Sequence, residues 1–414
     1  MGIDGISLFL ILLTTLLINI CILISWNSIK FYLKEYLLSF LVLEFCLIQV
    51  FAVLDLLLFY IFFESVLIPM FLIIGIWGSR TRKIRAAYQF FIYTLIGSLL
   101  MLIGIIFIYL NTGTFDIQIL WTLIFPETLQ YWLWLSFFAS FAVKIPMLPF
   151  HIWLPEAHAE APTSGSVILA GILLKLGGYG FLRFSIPLFP IASIFFTPLV
   201  FTLSTIAVIY ASLTTLRQVD LKKIIAYSSV SHMGFVTLGI FSLNIQGLEG
   251  SIILMLSHGL VSSALFLCIG ILYDRYQTRI IKYYSGMVQV MPIFFSLFLF
   301  FSFSNIGFPG TSSFIGELLV LIGLFQFSAN LTFFVTFGVV LSAAYSIWLL
   351  NRIGFGNLKI NYFKYFQDIS RREFWTIFPL VLLIFWMGLY PQSFLIEIHF
   401  SILSLIEHLK YFQC

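Results

Sequence analysis

The sequence predicts an all-α polytopic membrane protein with about 12 transmembrane helices. Of its 414 residues, 61% are hydrophobic and only 9% are charged, and the mean hydropathy is +1.09. Soluble domains carry about 25% charged residues, so this composition excludes a soluble fold. A membrane-spanning helix needs about 20 apolar residues. Apolar runs of that kind occur at 3–26, 36–53, 55–77, 87–110, 131–149, 164–184, 192–215, 221–242, 248–272, 288–326, 331–351 and 374–395.

Two of these segments contain residues that break a helix. The fifth segment ends in Lys144-Ile145-Pro146 and continues to Pro149, and the tenth contains the run 304–310 with its Gly-Phe-Pro-Gly sequence. Irregular backbone at membrane depth persists only where it is buried in protein or lines water. The two breaks lie five segments apart, so the broken helices run in opposite directions, which is typical of an inverted repeat.

These features divide the chain into four parts, with two inverted five-helix repeats that each contain a broken helix. Residues 1–35 are predicted to form an N-terminal transmembrane helix, and residues 36–184 the first repeat with one half-channel. Residues 192–351 would form the second repeat with a second half-channel. Residues 352–414 would contain a loop, the last transmembrane helix and a C-terminal tail.

The charged loop residues predict the orientation of the chain. Most Lys and Arg residues lie in loops on one side, whereas the opposite loops carry Asp116, Glu127 and Glu249. The link after the fifth segment lies on the basic side but carries Glu156 and Glu160. Basic loops remain on the matrix or cytoplasmic side. The basic loop residues are Lys30, Lys34, Arg80, Arg82, Lys83, Arg85, Arg217, Lys222, Lys223, Arg275, Arg279, Lys282, Arg352, Lys359, Lys364, Arg371 and Arg372.

Ionisable side chains also lie inside the apolar segments. A charge near the centre of a bilayer costs roughly 2.5–3.5 kcal/mol, and such residues usually mark a path for protons or ions. Histidine titrates near neutral pH and can relay a proton through its two ring nitrogens. The residues in question are Glu44, Asp55, Glu64, Lys144, Lys175, His232, His258 and Glu317.

Four sequence motifs, taken in order, resemble the antiporter-like subunits of respiratory complex I, which are also related to Mrp-type antiporters. The motifs are residues 55–70, 141–158, 161–175 and the tripeptide Ser257-His258-Gly259. In the tenth segment, Glu317 occupies a position at which two sister subunits of that complex place Lys. Members of the family usually have 14 helices, two of them before the segment that here begins at Met1. These two helices are expected to be missing from the chain or to be supplied elsewhere.

The resemblance implies proton translocation coupled to NADH oxidation and quinone reduction, which take place in other subunits. Protons would pass along Glu64, Lys144, Lys175, His232, His258 and Glu317. Glu64 would form an ion pair with Lys144 that opens and closes. Because low dielectric disfavours a charged lysine, such a pair can control when the lysine holds its proton. Glu317 would be the last acceptor before the outer side.

Each residue also has a structural interpretation that the sequence leaves open. The Glu64–Lys144 pair could join two helices, Lys175 could extend to the membrane surface, and the histidines could be packing residues. Glu317 could stabilise the positive end of a half-helix. Asp55 lies about 13 Å from Glu64 along a helix and could be interfacial. Glu44 is equally compatible with a structural and a relay role.

The resemblance further implies a place in the mitochondrial inner membrane with the basic loops facing the matrix. The expected partners are other membrane-arm subunits, including the two sister antiporter-like subunits (types 2 and 5) and the lateral helix of subunit 5, together with membrane lipids. No nucleic acid is expected to bind. No cofactor or metal is expected in this chain, since NADH, FMN, iron–sulfur clusters and ubiquinone would belong to the whole complex. The His158-Ala-Glu160 sequence lacks the Pro-Cys-x-x-Cys partner of a zinc deaminase.

Two other functions remain compatible with the sequence. The chain could belong to a multi-subunit cation/proton antiporter or to an ion-translocating hydrogenase, since the same residues would serve either. It could also be a membrane scaffold with inert charge pairs.

Overall fold

The computed structural model describes residues 1–26, 28–359, 362 and 367–411, and these form helices joined by short connections. Lys364 of the predicted basic loop and Cys414 lie outside the described residues. Ten described helices or helical spans are long and apolar enough to cross a membrane. Glu127–Lys144 covers the fifth predicted segment, and the halves Pro292–Ile306 and Ser312–Phe327 cover the tenth. The predicted all-α fold with about 12 transmembrane helices is confirmed.

The first spans include an interrupted helix that carries Glu64. Helices α3 and α4 form one span that is interrupted at Val66, where Pro69 has no N–H to donate to the carbonyl of Ser65. Glu64 lies two residues before this interruption. The helices of this region are α1 (Gly5–Ser25), α2 (Leu33–Ala52), α3 (Leu56–Ser65), α4 (Leu67–Trp77), α5 (Lys83–Thr112) and α6 (Ile117–Leu120).

The fifth predicted segment is discontinuous, as its proline-containing sequence predicts. Helix α7 ends at Lys144, and a 3-10 turn at Phe150–Ile152 leads into the short helix α8. The following span contains π-helical turns at Leu169–Leu173 and Phe181–Ser185, a feature frequent at functional sites. The helices are α7 (Glu127–Lys144), α8 (Trp153–Glu160), α9 (Thr163–Ile168), α10 (Leu174–Gly180), α11 (Ile186–Leu188) and α12 (Pro190–Phe195).

The second half of the chain surrounds one long helix. Helix α15 is buried throughout its apolar window and packs against α14, α18 and α20. His258 belongs to α15 and therefore lies at the centre of the protein. The helices are α13 (Thr197–Leu216), α14 (Leu221–Phe241), α15 (Ile245–Tyr276), α16 (Met287–Val290), α17 (Pro292–Ile306), α18 (Ser312–Phe327), α19 (Ala329–Gly354), α20 (Arg371–Leu389) and α21 (Gln392–Tyr411).

The C-terminal tail contains a helix that the sequence analysis did not predict. The apolar run predicted to continue to residue 395 ends as a span at Leu389, because Pro391 disfavours helical backbone at the preceding residue. Helix α21 then lies on the face opposite the basic loops. Its Ser401 hydroxyl accepts a hydrogen bond from the Gly5 N–H at 3.1 Å, and His399 Nδ1 lies 2.5 Å from Glu249 Oε1.

We predict that Gly5→Ala detaches α21 from the N-terminus of α1. A Cβ atom at Gly5 would lie 2.0 Å from the carbonyl oxygen of Glu397, which is backbone and cannot move alone. Overpacking of this kind costs about 1–3 kcal/mol. The expected result is a lower thermal unfolding midpoint and faster proteolysis of α21.

Gly75→Ala is the matched control for this substitution. A Cβ at Gly75 would have its nearest neighbour, Ala87 Cβ, at 4.0 Å, so the stability should be unchanged. Equal stability of the two variants would contradict the proposed contact between α1 and α21.

Candidate functional site

Lys175 and His258 are in direct contact at the centre of the protein. The Nζ atom of Lys175 lies 2.8 Å from His258 Nδ1 and also donates a hydrogen bond to the Ala170 carbonyl at 2.5 Å. Lys175 is fully buried, so its side chain does not extend to the membrane surface. The contact needs close helix packing, because a Cβ at Gly259 would lie 3.0 Å from the carbonyl oxygen of Gly171.

The row continues from His258 to Glu317. The rings of His258 and His232 lie 5.8 Å apart between centroids, and His232 Nδ1 lies 3.4 Å from Glu317 Oε1. All of these side chains are buried. Four residues that the sequence analysis selected separately, on three different spans and one half-helix, therefore form one connected row.

Tyr345 and Asn305 extend this row, and the sequence analysis did not select them. The Tyr345 hydroxyl lies 3.4 Å from His232 Nε2, and Asn305 Nδ2 donates to the same hydroxyl at 3.4 Å. Asn305 belongs to the breaker run, which is a signal that could have identified it. Tyr345 lies in an otherwise ordinary apolar helix, and no sequence pattern singles it out.

The break between α17 and α18 shapes the position of Glu317. Gly307 ends α17 with φ +82°, a left-handed conformation that favours glycine. A Cβ there would lie 2.5 Å from Glu317 Oε2, so the glycine also makes room for the carboxylate. Glu317 lines a cavity of about 550 Å³ along α18, together with Leu321 and Phe325.

Glu64 and Lys144 are near each other but do not form the close ion pair that the resemblance implies. Lys144 Nζ lies 4.4 Å from the centroid of the Phe63 ring, and the two charges still interact electrostatically. Within the described part of the chain, Lys144 Nζ and Glu64 Oε1 are buried without a hydrogen-bond partner. The pair is therefore open in this structure.

The other selected residues have different surroundings. The Asp55 carboxylate caps α3 by accepting hydrogen bonds from the N–H groups of Leu57 and Leu58 at 2.9 and 3.0 Å. This contact fits its structural interpretation. Glu44 is half-buried on α2. Lys222 and Arg279, which the sequence analysis treated as loop residues, are instead buried.

A family described as NADH:quinone oxidoreductase/Mrp antiporter, transmembrane, matches residues 53–343. The chain belongs to this family. This match covers the broken helices and the four ionisable residues Lys175, His232, His258 and Glu317. The resemblance that the sequence motifs indicated is confirmed.

Curated relatives within the family are similar to nearly the whole chain. A protein named NADH-ubiquinone oxidoreductase chain 4 from Chondrus crispus is 76% identical over 406 residues, which cover 98% of this chain and 82% of the relative. The protein of the same name from Arabidopsis thaliana is 62% identical over 411 residues, covering 99% and 83%.

Solved structures share the fold. A chain of respiratory complex I from Thermus thermophilus matches with a TM-score of 0.90 and 32% identity, covering 98% of this chain and 85% of that chain. A chain of the Mrp complex from Dietzia sp. matches with a TM-score of 0.88, covering 99% and 85%. Its identity is 19%, so this second likeness concerns the fold alone.

We predict that Gly307→Ala destabilises the chain more than Gly310→Ala does. Both glycines have positive φ, +82° and +92°, so each substitution carries a backbone cost of about 1–2 kcal/mol. Only Gly307→Ala also displaces the Glu317 carboxylate, since a Cβ at Gly310 meets nothing within 4 Å. Thermal unfolding of the two variants measures the difference. Equal unfolding midpoints would show that Glu317 does not depend on the space at Gly307.

Proposed function

We propose that this chain is a proton-translocating membrane-arm subunit of a mitochondrial NADH:ubiquinone oxidoreductase. NADH oxidation and quinone reduction take place in other subunits, and this chain moves protons from the basic face to the opposite face. The basic loops then face the matrix. The observation that carries the proposal is the buried row Lys175–His258–His232–Glu317, in which four ionisable groups follow one another inside apolar helices.

The geometry of the row supports stepwise proton transfer. At 2.8 Å, a proton on Lys175 Nζ can pass directly to His258 Nδ1, and the positive charge moves with it. The two imidazole rings lie 5.8 Å apart between centroids, a separation that one bridging water would span. His232 then delivers the proton to the Glu317 carboxylate.

Glu64 and Lys144 would control loading of this row. Two opposite charges 4 Å apart interact by about 4 kcal/mol at an effective dielectric constant of about 20. Closing the Glu64–Lys144 pair therefore retains a proton on the lysine, and opening it releases that proton toward Lys175. The helix interruption at Val66, two residues after Glu64, would be the point at which the Glu64 carboxylate moves relative to α4.

The likeness to complex I also supports proposals on partners and cofactors. We propose that the chain assembles with the two sister antiporter-like subunits and the lateral helix of subunit 5. NADH, FMN, iron–sulfur clusters and ubiquinone would bind to other subunits, so this chain would contribute only side chains to the reaction.

We predict that Lys144→Ala or Glu64→Ala leaves the complex assembled and lowers the number of protons pumped per electron. Loss of one acid–base group slows the proton transfer that it serves by about 10²–10⁴-fold. The measurement is the proton-to-electron ratio in inner-membrane vesicles, with assembly checked by a native gel stained for NADH dehydrogenase activity.

Lys34→Ala and Glu127→Ala are the controls, because both side chains are exposed and lie outside the row. Their proton-to-electron ratio should remain that of the unmodified complex. A normal ratio in assembled Lys144→Ala and Glu64→Ala would overturn the role of the pair. Normal pumping by the double variant Glu64→Gln, Lys144→Met would favour an inert structural pair.

A cation/proton antiporter is a second candidate, because the matched family includes Mrp antiporters. The two functions predict different partner subunits for the chain. Co-migration of the chain with the NADH-oxidising complex supports the first function. Sodium-dependent proton transport in an assembly without NADH-oxidising subunits would support the second.

A further inference from the structure

A polar cavity of about 620 Å³ lies on the basic face, where the α1–α2 connection meets α9, α15 and α20. We call this cavity the basic-face vestibule. Its polar lining includes Lys30, Ser79, Thr163, Lys222, Asp274 and Arg372. Lys30 and Asp274 are exposed at its mouth, so the cavity is open to the basic side.

Lys222 forms the inner wall of the vestibule. Only 2% of the residue is exposed, although it is the second residue of α14 and follows a loop. Its Nζ atom donates hydrogen bonds to the Ala161 carbonyl at 2.7 Å and to the Ser166 hydroxyl at 3.2 Å. The charges of Arg279, Asp274 and Glu160 surround it. A buried amine therefore touches a polar cavity on one side and the protein interior on the other.

His158 lies between this amine and the central row. Its ring is fully buried and stacks on Phe266 with 4.7 Å between centroids. Neither ring nitrogen has a hydrogen-bond partner within the described residues, which is costly for a buried polar group. The ring is close enough to interact electrostatically with both Lys222 and Lys175. Ser166, which binds Lys222, also donates to the His158 carbonyl at 3.3 Å.

We propose that Lys222 takes up protons from the basic-face vestibule and passes them across Ser166 and His158 to Lys175. The inference rests on the proposed function. It adds Lys222 to the transfer path and identifies the basic face as the side from which Lys175 receives its protons. Lys222 Nζ gives a proton to the Ser166 hydroxyl, which releases its own proton to a His158 ring nitrogen, and His158 passes a proton to Lys175 Nζ. Each N–H or O–H bond that breaks is replaced by one that forms at the next group, so a single positive charge moves inward. The two ring nitrogens of His158, which have no hydrogen-bond partner among the described residues, can accept the proton and pass it on to Lys175.

A purely structural role for Lys222 makes a different prediction. Ala161 follows the last residue of α8, and a cation there stabilises the carbonyl end of that helix. Arginine would retain this stabilisation, since it keeps the charge and the donors. Arginine does not release its proton in proteins, so it would not retain proton transfer. The Lys222→Arg variant therefore distinguishes a structural role of Lys222 from a role in proton transfer.

The test compares Lys222→Arg, Lys222→Met and Lys222→His in the assembled complex in inner-membrane vesicles. We expect assembly of the Arg variant, a proton-to-electron ratio below normal in the Arg and Met variants, and a higher ratio in the His variant than in either. Lys223→Met is the matched control. It removes the neighbouring charge, which pairs with Glu156 at 2.6 Å outside the vestibule, and should leave the ratio normal.

A normal ratio in Lys222→Arg or Lys222→Met would overturn the inference. If Lys144→Ala lowers the ratio while Lys222→Met does not, the inference fails and the proposed function stands. If neither substitution lowers the ratio, the proposed function fails as well.

A second measurement applies even if the Lys222 variants do not assemble. Thr163→Cys places a thiol in the vestibule, and we expect a water-soluble thiol reagent added on the basic side to label it and to lower the proton-to-electron ratio. The reagent applied to the unmodified complex provides the background. Absence of labelling, or labelling with normal pumping, would overturn the role of the vestibule.

Discussion

The contact between Lys175 and His258 depends on how closely α15 approaches the span that carries the lysine. A Cβ atom at Gly259 would lie 3.0 Å from the Gly171 carbonyl oxygen and 3.5 Å from Lys175 Cε, so a side chain there would occupy the space that the contact needs. Small residues allow membrane helices to pack in this way. Because α15 is the central helix, its position also fixes the distance from His258 to His232, and through it the alignment of Glu317.

The ionisable groups of the proposed path are satisfied to different degrees. From Lys175 to Glu317, each group has a partner within hydrogen-bond or ion-pair distance or an adjacent ring. Around the first break, in the part of the chain that the structure describes, Lys144 Nζ, Glu64 Oε1 and both nitrogens of His158 have no hydrogen-bond partner. Unpaired buried groups are costly, so the surroundings of the first break have the stronger tendency to change their arrangement. A connected row beside an open pair is the arrangement expected of a transfer path that is loaded at one end.

The shared fold explains why redox-linked and antiporter complexes give similar structural matches. Both matched chains superimpose with TM-scores near 0.9, although one is 32% and the other 19% identical to this chain. A fold by itself does not determine a function, which resides in particular side chains and partners. Helices broken at membrane depth expose backbone groups and require neighbouring residues to satisfy them. That requirement accounts for the same architecture in both kinds of complex.

The sequence by itself determined the class of fold, the approximate number of spans, the two breaks and the ionisable residues inside the apolar segments. Hydrophobic length, proline and glycine position and the cost of charge in lipid are local properties, so they can be read along the chain. The tertiary structure decided which of these residues meet. It joined Lys175 to His258 and His232 to Glu317, left Lys144 and Glu64 open, and added Tyr345 and Asn305. It also buried Lys222, which the sequence placed in a basic loop, because burial depends on helices distant in sequence that close around a position.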